Sequence, residues 1–408
     1  MASQVAVGAA RPRLRVVHPS EPSPAAVRAR ADRSARRVLL TLTVAVASLT
    51  VVGLVMVLSA SSVSAFARYG SSFLFFKRQL IYALAGAIVA TVAARVPYRI
   101  WQRLWPGLLA VCFVLLVLVL HPAAGTVAGG SARWIDLGGF SVQPSELAKF
   151  AAVAAAASIL ARRLRYLDEP GRWMVPLIPL VGLLAALILL QPDLGTATII
   201  VATVFIMLFL AGVRFRVLAL TGLLATGAGT LLIAAEQYRR TRFLSYLQPW
   251  TDPQNTGYQI IQSLIALGSG ELFGVGLGAS RQKWAYVPNA HTDFIFSIMG
   301  EELGLLGEIG VLALFGAVVY AGIRISLRAP DTFGRLLAGG ITGWIGIQAL
   351  VNLGAVTGVL PITGVPLPFM SFGGSSLVVS LGAVGVLFAV GREGLGGERR
   401  TSRAAVRG

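Results

Sequence analysis

Cysteine is almost missing from this 408-residue chain, and its single example, Cys112, lies inside an apolar run. One thiol cannot close an intramolecular disulfide, and among leucines and valines it reads as a small packing residue. Histidine is nearly as scarce. His18, His121 and His291 stand far apart, with no neighbouring cysteine and no HxxxH spacing, which argues against a structural zinc site. Charge is short as well: charged residues make up 13% of the chain, about half the share of a soluble domain. That shortage excludes an ordinary soluble globular protein.

What the chain has instead is apolar sequence, 56% hydrophobic with a mean hydropathy of +0.76. Membrane residence is the class that fits. Stretches of about 20 mostly apolar residues cross a bilayer. Ten such stretches fall near 38–60, 77–94, 103–121, 145–161, 174–190, 194–213, 216–235, 294–323, 335–357 and 373–391. The expected fold is an all-α polytopic membrane protein of about ten transmembrane helices. Residues 1–36 read as a basic flexible cytoplasmic tail, 37–391 as the ten-span membrane domain and 392–408 as a second basic cytoplasmic tail.

The net charge of +18 raises nucleic acid as a partner. However, the arginines are spread over tails and short loops, with no aromatic-basic strip on which bases would stack. Positive-inside topology and attraction to anionic headgroups account for them better. With the N-terminus inside, the inside pieces hold 25 of the 35 Lys and Arg residues. Ten spans then place both termini in the cytoplasm. They turn two unusual loops outward: 122–144, and the long 236–293 between spans seven and eight.

The first outward loop carries Arg133 and Trp134, then Gln143, Ser145, Glu146 and Lys149 around the start of the fourth span. Ser145 is placed to cap that helix, with Pro144 before it. Glu146 and Lys149 are three residues apart on one helical face, at membrane depth. Ionisable groups there are costly and normally paired, and they default to functional hypotheses. In the turn QPDLGT at 191–196, Asp193 is explained as an N-cap.

The second outward loop is the main candidate for chemistry. Tyr258 to Leu267 has the pattern of a short helix lying in the outer interface. Gly270, Gly274, Gly276 and Gly278 supply turns or close backbone approach. Arg281 and Lys283 follow, then His291, Thr292 and Asp293 directly before the eighth span. Thr292 or Asp293 would serve as an N-cap. That does not explain Glu301 and Glu302 further into an apolar helix, and acids there suggest a polar cavity open to the outer leaflet.

These residues carry a resemblance. The chain resembles the SEDS family (shape, elongation, division and sporulation), the membrane proteins typified by FtsW, RodA and SpoVE, over about residues 38–391. The matching pieces are MVLSASS at 56–62, RWI and QPSELAK within 133–149, QPDLGT at 191–196 and GYQIIQSLIALGSG from Gly257. YVPNAHTDFIFSIMGEELGLLG from Tyr286 and LPITGVPLPFMSFGGSS at 360–376 complete the set. MVLSASS and the tail before it are more similar to the FtsW/SpoVE branch. Thr363 stands where division members of some lineages carry lysine, which leaves the RodA branch open.

The resemblance implies a peptidoglycan glycosyltransferase that polymerises lipid II at the outer face of the cytoplasmic membrane. The family's essential acid falls on Asp293, and its tryptophan-bearing loop on Arg133 and Trp134. The implied partners are a class B penicillin-binding protein, a transpeptidase, and other divisome or elongasome proteins. Side and charge make Arg133, Lys149, Arg242, Arg281 and Lys283 candidate clamps for the substrate's diphosphate, with Glu146 and His291 as further substrate-site candidates. A divalent cation, Mg2+ or Mn2+, would assist such a reaction, although the sequence shows no dedicated cage. Two other readings stay open: a transporter that moves lipid II across the membrane, and a non-enzymatic scaffold for division proteins.

Overall fold

The computed structural model describes residues 24–121, 125–128, 131–136, 138, 141–284, 286–288 and 290–405. The chain runs through α1 (Pro24–Tyr69), α2 (Leu74–Arg95), α3 (Trp101–Val119), α4 (Pro144–Arg162), α5 (Pro170–Leu189) and α6 (Leu194–Ala211). It continues through α7 (Phe215–Ala235), the shorter α8 (Gln237–Leu247) and α9 (Tyr258–Ser269), then α10 (Ile295–Leu327), α11 (Thr332–Val356) and α12 (Gly374–Ala405). All except α8 and α9 include a stretch long and apolar enough to cross a bilayer, ten spans among the described residues. Each coincides with a predicted span. In lipid every backbone polar group needs a partner within the protein, and a helix supplies it locally.

Local chemistry sets many of the ends. Pro144 and Pro170 occupy the first positions of α4 and α5, where a missing N–H costs nothing. Asp193 caps α6 as predicted, accepting from Thr196 N at 3.0 Å. Asp331 does the same for α11, accepting from Gly334 N at 2.7 Å. Ser145 does not cap α4. Pro144 already fills the first turn, so the N-cap position falls on Gln143, and Ser145 is buried inside the helix.

The bundle is organised around α4. Its alanine-rich run is buried along nearly its whole length, and small side chains let α3, α6 and α11 approach closely. Glycine does the same where α2 meets α12. A methyl built on Gly385 would stand 2.2 Å from the Ala90 carbonyl oxygen.

Two ends result. One gathers arginine contacts: Arg99 with Asp331 at 2.9 Å and Arg214 with Asp168 at 2.7 Å. The other gathers the polar loops. There β1 (Gly125–Ala128), β2 (Ser131–Asp136) and β3 (Ser141–Val142) form a small antiparallel sheet in that order, with Ile135 opposite Val142. The expected interfacial helix is α9. These strands had no counterpart in the helical reading.

Candidate functional site

The long loop is held by a break in a helix. Inside α10, Gly304 takes φ +65° and ψ −168°, which splits the helix in two. A break frees backbone groups that lipid cannot satisfy, so another segment has to supply partners. Residues 271–276 do so. Val275 N donates to Glu301 O at 2.9 Å and Gly276 N to Glu302 O at 3.1 Å, while Leu305 N donates to Glu271 O at 2.9 Å. Gly274 is required there: at φ +77°, a methyl on it would stand 2.1 Å from Glu302 O.

The two acids that pointed to a cavity instead anchor this strap. Glu301, 2% exposed, accepts from Ser280 Oγ and from the backbone of Arg281 (2.9 Å) and Gln282 (3.3 Å). Glu302, 1% exposed, accepts from Ser59 Oγ of α1 at 2.6 Å and lies 3.5 Å from Lys283 Nζ. Lys283 also donates to Gly278 O. Lys283 is therefore held inward beneath the strap, and Arg281 is exposed on top of it. Arg242 falls in α8, and its side chain lies outside the described residues.

The strap leads into the turn His291–Thr292–Asp293. The α10 N-cap position falls on Phe294, not on Thr292 or Asp293, and it carries no side-chain cap bond. The His291 ring lies 4.7 Å from the Phe75 ring and 5.6 Å from that of Phe372, and its carbonyl accepts from Phe372 N at 2.9 Å. Burial, helped by the charge of Arg68, pushes the imidazole pKa down to about 4, so the ring is neutral near pH 7. Asp293 is half-buried. Its carbonyl accepts from Asn352 Nδ2 at 2.8 Å. Facing it is Gly364 in the loop after α11, where an added methyl would stand 3.7 Å from Asp293 Oδ2.

A chain of buried polar groups reaches that loop from α4. Glu146 and Lys149, each with a side chain 1% exposed, pair at 2.9 Å as the three-residue spacing predicts. Lys149 Nζ also donates to Gln348 Oε1 at 2.6 Å, and its ammonium sits 5.2 Å from the Trp344 ring centre. Gln348 then donates through Nε2 to Pro366 O at 2.9 Å. On the other side, Arg133 donates through Nε to Gln191 O at 2.9 Å and through Nη2 to Pro192 O, which ties β2 to the turn that starts α6.

Between these parts lies an open cavity of about 360 Å³ lined by Arg78, Tyr82, Trp134, Asp136, His291, Thr292 and Phe372, among others. The fold thus brings Trp134, His291 and Thr292, the residue before Asp293, to one cavity. It links Glu146 and Lys149 to the loop facing Asp293, and leaves Arg281 and Lys283 on the strap. Sequence reasoning had missed Arg78, Gln348 and Asn352. Arg78 left one signal, a cation on the side of the membrane that positive-inside topology keeps poor in them. Gln348 and Asn352 left another, amides four residues apart on one face of an apolar span.

Among the described residues no three His, Cys, Asp or Glu side chains come together.

A family model described as a cell cycle protein, FtsW/RodA/SpoVE, matches residues 40–394. The chain is 47% identical over 344 residues to stage V sporulation protein E of Bacillus subtilis, covering 84% of this chain and 94% of that protein. It is 47% identical over 343 residues to a probable peptidoglycan glycosyltransferase FtsW of Geobacter metallireducens, with 84% and 92% covered. Among solved structures it is similar to a chain of a peptidoglycan synthase complex that coordinates polymerization and crosslinking, at a TM-score of 0.72 and 32% identity, covering 86% of this chain and 97% of that one. It is also similar to the rod shape determining protein RodA of Thermus thermophilus, at a TM-score of 0.63 and 30% identity, with 86% and 96% covered.

Proposed function

The chain belongs to the FtsW/RodA/SpoVE family, and from that premise we propose that it polymerises lipid II with Asp293 as the general base. It is a multi-pass membrane enzyme, a peptidoglycan glycosyltransferase of wall synthesis in division or cell shape. The similarity to SpoVE and FtsW fits the FtsW/SpoVE branch. One observation carries the site: the Asp293 turn, the Gly364 loop and the cavity of Arg78 and Trp134 meet at one end of the bundle. The arginine contacts gather at the other end. By the positive-inside rule that other end, with both termini, faces the cytoplasm, and the cavity faces outward.

In the reaction, the 4-hydroxyl of an incoming lipid II sugar attacks the anomeric carbon of the growing glycan. The new C–O bond forms as the bond to the diphosphate breaks, and undecaprenyl diphosphate leaves. Asp293 takes the hydroxyl proton, a contribution of roughly 10²–10⁴ in rate. Diphosphate leaves as a stabilised anion, so preorganised cations replace the acid that a glycosidase needs. Arg78, which lines the cavity, is the proposed cation for that duty, with exposed Arg281 as a second candidate. Trp134 and Phe372 offer apolar faces to sugar rings. Neutral His291 packs the turn and, uncharged, does not compete for the diphosphate. The buried cations Lys149 and Lys283 act in place, Lys149 through Gln348 and Lys283 beneath the strap.

A class B penicillin-binding protein is the proposed partner, with other divisome or elongasome proteins around it. The solved relative in a complex that couples polymerization to crosslinking supports a transpeptidase neighbour. The test is the full-length chain in proteoliposomes supplied with labelled lipid II. Glycan strands are expected. Lipid transfer between leaflets with no polymer would replace this reading with a transporter, and neither activity would leave a scaffold.

A further inference from the structure

We propose that Asn352, near the outer end of α11, is a positioning residue for Asp293. The proposal rests on the reading of Asp293 as the base. Asn352 is 2% exposed. Its Nδ2 donates to the main-chain carbonyl of Asp293 at 2.8 Å and to that of Val365 at 2.8 Å. Both partners only accept, so the amide must turn its NH2 toward them.

Two hydrogens on one nitrogen thereby join the turn before α10 to the loop after α11. The same two segments are joined by Phe372 N and His291 O at 2.9 Å, two residues before Asp293. Asn352 Oδ1 has no hydrogen-bond partner among the described residues. An apolar side chain of that size would remove the unpaired Oδ1 but take the amide donor from the carbonyls of Asp293 and Val365, so what the amide adds is the pair of bonds.

Val365 adjoins Gly364, whose φ of +71° turns its bare Cα toward the carboxylate. Where Val365 sits decides how much room an acceptor hydroxyl has in front of Asp293 Oδ2. A base works only within about 2.6–3.2 Å of its proton donor. A displacement of about 1 Å costs on the order of 100-fold in rate.

The experiment measures kcat and KM for glycan synthesis by the full-length chain in proteoliposomes. The variants are Asn352→Ala, Asn352→Leu (similar size, donor removed), Asn352→Gln (donor kept) and, in parallel, Asp293→Asn. Folding is checked by size-exclusion profile and melting midpoint. The expected result is a kcat lower by roughly 10–100-fold for Asn352→Ala, with KM within about threefold. A folded alanine variant with kcat within twofold, or one impaired through KM alone, overturns the proposal while an inactive Asp293→Asn leaves the base reading intact. An active Asp293→Asn overturns the base reading itself. Should the alanine variant not fold, the leucine variant decides by the same figures, while the glutamine variant, which keeps the amide donor, is expected to retain more of the native kcat.

Discussion

Replacing Lys149 by methionine keeps the length of the side chain and removes its charge together with its hydrogen bond to Gln348 Oε1. The ammonium lies 2.9 Å from the Glu146 carboxylate, and both side chains are 1% exposed. Solvent screening therefore offers no relief. Removing one member of such a pair leaves a buried charge without compensation and costs about 3–5 kcal/mol. That is a factor of roughly 10²–10³ or more in the ratio of folded to unfolded protein. Neutralising both members behaves differently, since two apolar side chains of similar volume recover most of that loss. Both variants lose the Lys149 bond to Gln348 Oε1, and Gln348 keeps its Trp344 Nε1 bond at 2.8 Å in each, so single against double isolates the unpaired Glu146 charge. The assay is equilibrium unfolding in mixed detergent micelles, titrated with SDS and followed by tryptophan fluorescence. Lys149→Met is expected to be about 3–5 kcal/mol less stable, and Glu146→Leu/Lys149→Met within about 1–2 kcal/mol of the native chain. The reasoning is refuted if the single variant is as stable as the native chain, or if the double variant is no better than the single.

His291 makes stability depend on pH. Its folded pKa of about 4 lies below the ordinary imidazole value of 6.5. The neutral ring is favoured on folding, so its contribution is complete above about pH 6.5 and is lost as pH falls toward 4. His291→Phe is expected to flatten the melting midpoint between pH 4 and 6.5, which a pH series of melting curves checks. Arg78→Ala removes the cation from the cavity wall. A charged hydrogen bond lost there is worth about 1.5–3 kcal/mol, so kcat/KM is expected to fall roughly 10–100-fold, a loss that initial-rate measurements over a lipid II series would show.

The ten spans were legible because a run of about 20 apolar residues has one solution in lipid. The Glu146–Lys149 pair and the Asp193 cap were legible because their partners lie three residues away. Glu301 and Glu302 were visible as misplaced acids, but their partners were not. Glu302 is bonded to Ser59, 243 residues distant, and no local pattern encodes such a pairing. Lys149 reaches Gln348 across 199 residues. The β2–β3 pairing of Ile135 with Val142 lay hidden in a loop whose polar residues drew attention to chemistry instead. Gly364 stood in a motif recognised as a string, and only the fold placed it against Asp293.

The most direct measurement is lipid II polymerisation by purified Asp293→Ala beside the native chain, both shown to be folded by the same melting midpoint. The loss expected is at least the roughly 10²–10⁴-fold that a general base supplies, with lipid II binding retained. Glycan strands formed by the alanine variant at the native rate would contradict the account.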